Sequence, residues 1–173
     1  EVQTGFGRTG ALLASDALGI NADVVTLAKG IAGGIPMGAC IFRGKADGIL
    51  KAGDHQSTFA GNPLACAAAR VVLRTMTEKG FMERVNEAGD YIRRTVSGWN
   101  SPRVTDVRGK GLMIGIQLEA KTDPADVKKR CLDMGLCVTT AGKDVIRLLP
   151  PLNITNSEIN KGLSILKSAL EQL

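Results

Sequence analysis

A single lysine, Lys29, stands where a chemically active amine could be held. It follows an apolar run, residues 24–28, and precedes a glycine-rich segment that extends to Gly38. Such a turn can hold an amine in a partly desolvated pocket, where the pKa falls and the neutral amine can form a Schiff base with an aldehyde. A surface lysine after a buried strand fits the same pattern, so the neighbouring motifs must decide.

Two hydroxyl side chains, Ser57 and Thr58, form a second candidate group, ahead of Asn62 and Pro63. Hydroxyl groups and successive backbone amides at a turn suit a dianionic phosphate. The alternative is ordinary capping of the helix that begins at Asn62-Pro63.

Arg147 lies between Ile146 and Leu148 in an apolar strand pattern. A charge in such a strand normally needs a partner. Because a guanidinium can grip a carboxylate through two parallel hydrogen bonds, Arg147 is a candidate ligand for a substrate carboxylate. A buried structural ion pair is the alternative.

Residues 5–10 read G-F-G-R-T-G, a literal G-x-G-x-x-G. This motif indicates dinucleotide binding when a strand precedes it and an acidic residue follows about 20 residues on. Asp23 precedes the next predicted strand instead of ending it. A loop beside the site is therefore the better interpretation, with Arg8 as a structural anchor.

Composition is that of an ordinary soluble globular protein, with 44% hydrophobic and 23% charged residues among 173. The net charge of +5 is spread among interleaved acids, and the longest basic run is residues 128–130, so no nucleic-acid partner is expected. Four cysteines without C-x-x-C spacing and one histidine, His55, make a metal site improbable and fit a cytoplasmic protein with reduced thiols. No apolar stretch is long enough for a bilayer, so no membrane association is expected.

The elements that must position these residues follow from hydrophobic periodicity. The pattern predicts helices over residues 11–18, 45–51, 64–79, 81–99, 124–134 and 155–173, and strands over residues 24–28, 38–42, 104–107, 112–118, 136–140 and 145–149. Asn62 should cap the first long helix, and Asn156 or Ser157 the last. The second half therefore reads as an α+β unit of antiparallel strands with helices on one face.

Four segments, in this order, resemble the class III (ornithine-type) aminotransferases, which use pyridoxal 5′-phosphate: residues 1–10, 26–39, 53–65 and 145–152. The resemblance implies an α/β protein. Residues 1–80 would form the C-terminal part of the large cofactor domain of a fold-type I PLP transferase. Residues 81–173 would form a linking helix and a small α+β C-terminal domain.

Family members are more than twice as long as this chain. Their Asp that pairs with the pyridine nitrogen would come just before Glu1, and their phosphate loop would lie further upstream. The resemblance therefore implies a C-terminal part of the enzyme, which alone should bind the cofactor weakly and should not turn over.

The resemblance also assigns roles to the candidate residues. Lys29 would bind the cofactor covalently and then act as the proton shuttle, and Gln3 would reach the phenolic oxygen of the pyridoxal ring. Ser57 and Thr58 would bind phosphate, Thr58 that of the neighbouring subunit, which implies a homodimer with a shared active site. Arg147 would hold the carboxylate of amino-acid and 2-oxo-acid substrates.

Residues 53–55 and 57–59 resemble the acetylornithine branch of the family. That branch implies transamination of N2-acetylornithine with 2-oxoglutarate in arginine biosynthesis. The ornithine, succinylornithine and 4-aminobutyrate branches share most of these residues and stay open, as does a PLP-dependent aminomutase. The non-enzymatic alternative is a folded but inactive piece.

Overall fold

The computed structural model describes residues 1–173 and divides the chain into two compact units, Glu1–Met82 and Glu83–Leu173. The first unit contains a small antiparallel sheet of two strands, and the second contains an antiparallel sheet of four. Helices accompany both sheets, which makes the chain an α/β protein. None of its helices combines the length and the apolarity that a membrane crossing would need.

The first unit begins with turns and continues through short elements to one long helix. Its elements are α1 (Ala14–Ala17), β1 (Val24–Leu27), a 3-10 turn (Lys29–Ala32), β2 (Ala39–Phe42), a second 3-10 turn (Gly44–Ala46) and α2 (Pro63–Met76). Strand β1 pairs antiparallel with β2, so that Val24 lies opposite Phe42 and Leu27 opposite Ala39. The core is a small cluster on which α2 and the 3-10 turn pack; its buried members are Val25, Leu27, Ile31 and Ala32.

The prediction for α2 is confirmed at its start. Asn62 is the N-cap, and its Oδ1 accepts hydrogen bonds from the amides of Leu64 at 3.0 Å and Ala65 at 3.2 Å. Pro63 occupies the first turn, where its missing N–H leaves no hydrogen bond unmade. The helix ends at Met76, three residues earlier than predicted.

Three predictions in the first unit are wrong in extent. The helix expected over residues 11–18 is a single turn that starts only at Ala14, because the backbone of Leu13 before it is extended, with φ −123° and ψ 134°. The helix expected over residues 45–51 is one 3-10 turn that gives way to Gly48, at a φ of +68°. The apolar run of residues 24–28 indicates a buried strand, but burial in β1 alternates, with Val25 and Leu27 buried and Val24 and Thr26 exposed.

The second unit is built on a sheet with the strand order β3-β4-β6-β5. Its elements are α3 (Phe81–Ser97), which begins at the boundary, β3 (Val104–Lys110), β4 (Met113–Leu118), α4 (Pro124–Asp133), β5 (Thr139–Ala141), β6 (Val145–Leu148) and α5 (Asn156–Glu171). All strand pairs are antiparallel, as predicted. Every second residue of β4 is buried, namely Ile114, Ile116 and Leu118, whereas Gly115 and Gln117 are partly exposed.

Helix α3 approaches the turn between β3 and β4 very closely. Gly89 of α3 is buried against Gly111, and a Cβ atom at position 89 would overlap the Gly111 carbonyl group and lie 3.2 Å from its Cα. Backbone therefore packs on backbone here, which only glycine permits.

The N-cap of α5 corrects a prediction. It is Thr155, not Asn156 or Ser157, since Thr155 Oγ1 accepts from the Glu158 amide at 3.3 Å and Glu158 Oε2 accepts from the Thr155 amide at 2.8 Å. The spacing T-x-x-E is that of a capping box, which satisfies two helix-end amides at once.

Candidate active site

Lys29 follows β1 after one residue, Ala28, and begins the 3-10 turn that packs on α2. Its backbone adopts a φ of +52°, one of three such values at non-glycine residues in the chain. A lysine in this left-handed conformation costs about 1–3 kcal/mol, and strain of this kind clusters at functional sites. The buried side chains of Leu27 and Ile31 on either side hold the turn in place.

The Lys29 side chain is exposed in this chain. A partly desolvated pocket is one interpretation of this turn, and the residues of this chain do not by themselves bury the side chain. Gly30 and Gly34 beside it carry no side chains, and atoms added at their Cβ positions would meet nothing within 4 Å. A desolvated amine stays a prediction for the protein that carries the chain.

The loop that carries Gln3 is attached to the same strand. A Cβ atom at Gly5 would lie 2.9 Å from Leu27 Cδ2, so the loop backbone rests on the side chain two residues before Lys29. Gln3 itself is exposed. The structure therefore brings the Gln3 loop and Lys29 to the same end of β1.

Glu1 fixes this loop from the other side, a role that the sequence did not reveal. Its Oε1 accepts from the Ser15 amide at 2.6 Å, and its Oε2 accepts from the Ala14 amide at 3.1 Å and from Thr4 Oγ1 at 2.7 Å. Burial acts to raise the pKa of Glu1, but these hydrogen bonds outweigh it and lower the pKa to about 2. No local pattern could have predicted the contact, because its amide donors come 13 and 14 residues later.

Ser57 and Thr58 lie in exposed turns before α2. Ser57 lines a cavity of about 430 Å³ together with His55, Met37, Asn62 and other residues of this unit. Thr58, Lys29 and Gln3 do not line it. Because Asn62 caps α2, helix capping does not account for the two hydroxyl groups, and both remain available to a ligand.

Arg147 lies in β6, opposite Gly115 of β4 and Thr139 of β5. It is partly buried, and its Nε donates a hydrogen bond to Thr139 Oγ1 at 3.2 Å. No carboxylate pairs with it, so the structural ion pair considered for this residue is absent. Arg108, opposite Gly115 on the other side, differs because Asp106 Oδ2 lies 2.8 Å from its Nη1.

The donor groups of the first unit suit a phosphorylated aldehyde cofactor. The first unit offers one amine on a strained turn, an amide on the adjoining loop and two hydroxyl groups, all exposed. The second unit offers one guanidinium without an acidic partner. No group of three or more His, Cys, Asp or Glu side chains is arranged to hold a metal ion.

Comparison with known proteins decides the family. The protein-family model described as aminotransferase class-III matches residues 1–170 of the chain. The chain belongs to the class III aminotransferase family. The glycines of residues 5–10 are therefore part of an aminotransferase loop, and the dinucleotide interpretation is set aside.

Relatives within the class III aminotransferases match almost all of the chain. It is 46% identical over 174 residues to the acetylornithine aminotransferase of Streptococcus mutans and 43% identical over 173 residues to that of Listeria monocytogenes, covering 99% of this chain in both cases and 45% and 44% of those proteins. The chain thus spans less than half the length of the curated relatives that it matches.

Solved class III structures agree. The acetylornithine aminotransferase of Elizabethkingia anophelis superposes with a TM-score of 0.89 at 31% identity, over 100% of this chain and 45% of that one. The ornithine aminotransferase of Toxoplasma gondii gives 0.90 at 31% identity, over 99% of this chain and 42% of that one.

Proposed function

We propose that the protein carrying this chain is a PLP-dependent aminotransferase that moves an amino group from N2-acetylornithine to 2-oxoglutarate, in arginine biosynthesis. Membership of the class III family supports the reaction class. The names of the similar Streptococcus and Listeria proteins support the donor. We further propose a cytoplasmic homodimer whose active site is shared between subunits.

One observation of this chain carries the proposal. The amine of Lys29 is exposed, and it stands on a turn whose left-handed backbone conformation costs a lysine conformational free energy. Pyridoxal 5′-phosphate, when bound, supplies an aldehyde carbon and a ring that accepts electrons. Lys29 Nζ would bind that aldehyde and, once released by the incoming amine, would carry the proton. A neutral amine suits this acid–base role.

The other candidate residues would orient the cofactor and the substrate. Gln3 would donate an amide hydrogen to the phenolic oxygen of the cofactor, from a loop that rests on the side chain of Leu27. Ser57 and Thr58 would bind a phosphate, and we place Thr58 on the phosphate of the partner subunit's cofactor. Arg147 would hold the substrate carboxylate, because its guanidinium has no acidic partner within the chain.

Ornithine is the second candidate donor. The likeness of the fold to the Toxoplasma ornithine aminotransferase is as close as that to the acetylornithine enzyme. The two donors differ in their α-amino group, which is acetylated in one and cationic in the other. An assay of both donors with 2-oxoglutarate separates these candidates, and formation of glutamate excludes an aminomutase.

The role of Lys29 is tested by trapping. The full-length protein, incubated with pyridoxal 5′-phosphate and reduced with borohydride, should gain the cofactor mass on the peptide that contains Lys29. Lys29→Ala should abolish both this label and turnover, whereas Lys45→Ala, at another exposed lysine of the same unit, should leave both intact. A label on another lysine, or turnover by Lys29→Ala, would refute the proposal.

A further inference from the structure

Arg147 is held by a pair of hydrogen bonds to one threonine. Thr139 lies directly opposite it in β5, and Thr139 Oγ1 accepts from Arg147 Nε at 3.2 Å. The same hydroxyl donates to the carbonyl oxygen of Arg147, also at 3.2 Å. The hydroxyl thus contacts both the backbone and the side chain of its cross-strand neighbour.

The direction of these two bonds is determined by the chemistry of a hydroxyl group. A hydroxyl has a single proton, and here that proton goes to the carbonyl oxygen, so a lone pair faces Nε. An Nε–H has only one hydrogen to donate. On the other side of Arg147, Gly115 contributes no side chain that could compete for the guanidinium.

We propose that Thr139 is the positioning residue for Arg147 and makes it present its Nη1–Nη2 edge to the substrate carboxylate. This inference rests on the function proposed above for Arg147. A carboxylate can bind a guanidinium side-on, through Nε and one Nη, or end-on, through both Nη atoms. Because Nε already donates to Thr139, the end-on edge is the one that remains complete.

The residue that positions Arg147 for a carboxylate should be neutral, so that the charge of Arg147 is not offset. Arg108, in the same cross-strand row, is held by the carboxylate of Asp106 and by Gln117 Oε1 at 2.9 Å. An acid fixes a guanidinium but also offsets its charge. Thr139 fixes the orientation of Arg147 and leaves its positive charge for the incoming carboxylate, while reducing the rotamer freedom lost on binding.

The test compares Thr139→Val, which keeps the shape and removes the hydroxyl, with Thr139→Ser, which keeps the hydroxyl. Thr140→Val, at the exposed neighbour in the same strand, is the matched control. In the full-length protein, Thr139→Val should raise KM for 2-oxoglutarate about three- to tenfold, the worth of one hydrogen bond, with kcat changed less than about twofold. Thr139→Ser should restore the KM, and Thr140→Val should not alter it.

If Thr139 has only a structural role, all Thr139 variants, serine included, should show a lower kcat, a higher KM and a lower melting temperature. That result overturns the proposal. An unchanged KM in Thr139→Val, while Arg147→Ala raises it, overturns the positioning role and leaves the proposed function standing. If Arg147→Ala itself leaves KM unchanged, both fail. Should Thr139→Val not fold, Thr139→Ala replaces it with the same criteria.

Discussion

Gly89 is a buried helical glycine whose replacement by alanine should reverse the usual rule for helices. In an exposed helix, Gly→Ala stabilises by about 0.5–1 kcal/mol, because alanine loses less backbone entropy on folding. At position 89 the added methyl group would overlap the Gly111 carbonyl group. Both partners are backbone, so neither can move aside by changing a rotamer.

The expected cost follows from that overlap. Inserting a methyl group into packed structure costs about 1–3 kcal/mol, and a contact with backbone lies at the upper end. After subtraction of the helix-propensity gain of about 1 kcal/mol, Gly89→Ala should lower the free energy of unfolding by about 2 kcal/mol. In a domain of the size of the second unit, Glu83–Leu173, each kcal/mol corresponds to about 4–8 °C in Tm.

Gly162 provides the matched control. It also lies within a helix of the second unit, α5, but a Cβ atom there would be 3.5 Å from Leu136 Cδ1, an ordinary contact distance. Gly162→Ala should therefore raise the free energy of unfolding by up to about 1 kcal/mol. The two substitutions are chemically identical and are expected to differ in sign.

Urea unfolding followed by the fluorescence of Trp99 measures both variants, because Trp99 is the only tryptophan in the chain and lies just after α3. Equal stabilisation by Gly89→Ala and Gly162→Ala would show that α3 and the Gly111 turn are not in backbone contact.

Two further outcomes are expected. Arg147→Ala should raise KM for 2-oxoglutarate about tenfold to a hundredfold in steady-state kinetics, because charge-assisted hydrogen bonds are worth about 1.5–3 kcal/mol. Arg108→Ala should leave this KM unchanged, because Asp106 already pairs with Arg108. Equal effects of the two substitutions would contradict this distinction. Because the pKa of Glu1 is lowered in the folded state to about 2, its contribution to stability should be complete above pH 4.5 and lost as the pH falls towards 2. The chemical shift of the Ser15 amide, followed by NMR, should report this titration, and a midpoint near 4.5 would rule out the hydrogen bonds to Glu1.

Local signals in the sequence were sufficient for the longer elements. Asn62-Pro63 fixed the start of α2, and antiparallel pairing in the second unit followed from alternating strands and the short turn before Val145. The wrong cap for α5 reflects a choice within the segment 155–158, where the Glu at the fourth position already selects Thr155. The two short helices are shorter than predicted because Gly48 adopts a positive φ within one and Leu13 is extended at the start of the other, which outweighs periodicity over so few residues.

The sequence indicates which residue types form the candidate site, but not what surrounds each of them. The charge of Arg147 within an apolar strand suggested a ligand or an ion pair, and only the register of β5 against β6 shows that a threonine faces it. The exposure of Lys29 could not be read from the apolar run before it, because exposure depends on which side chains surround the turn. Glu1 illustrates the same limit, since its amide donors are distant in sequence.

The backbone at position 29 also has a consequence for directed evolution. Glycine would adopt the left-handed conformation at this position without strain, whereas the proposed chemistry requires the amine of a lysine. Selection for heat resistance alone should therefore favour glycine at this position and discard the reaction. Thermostable variants of this protein should be sought by screens that demand turnover at every round.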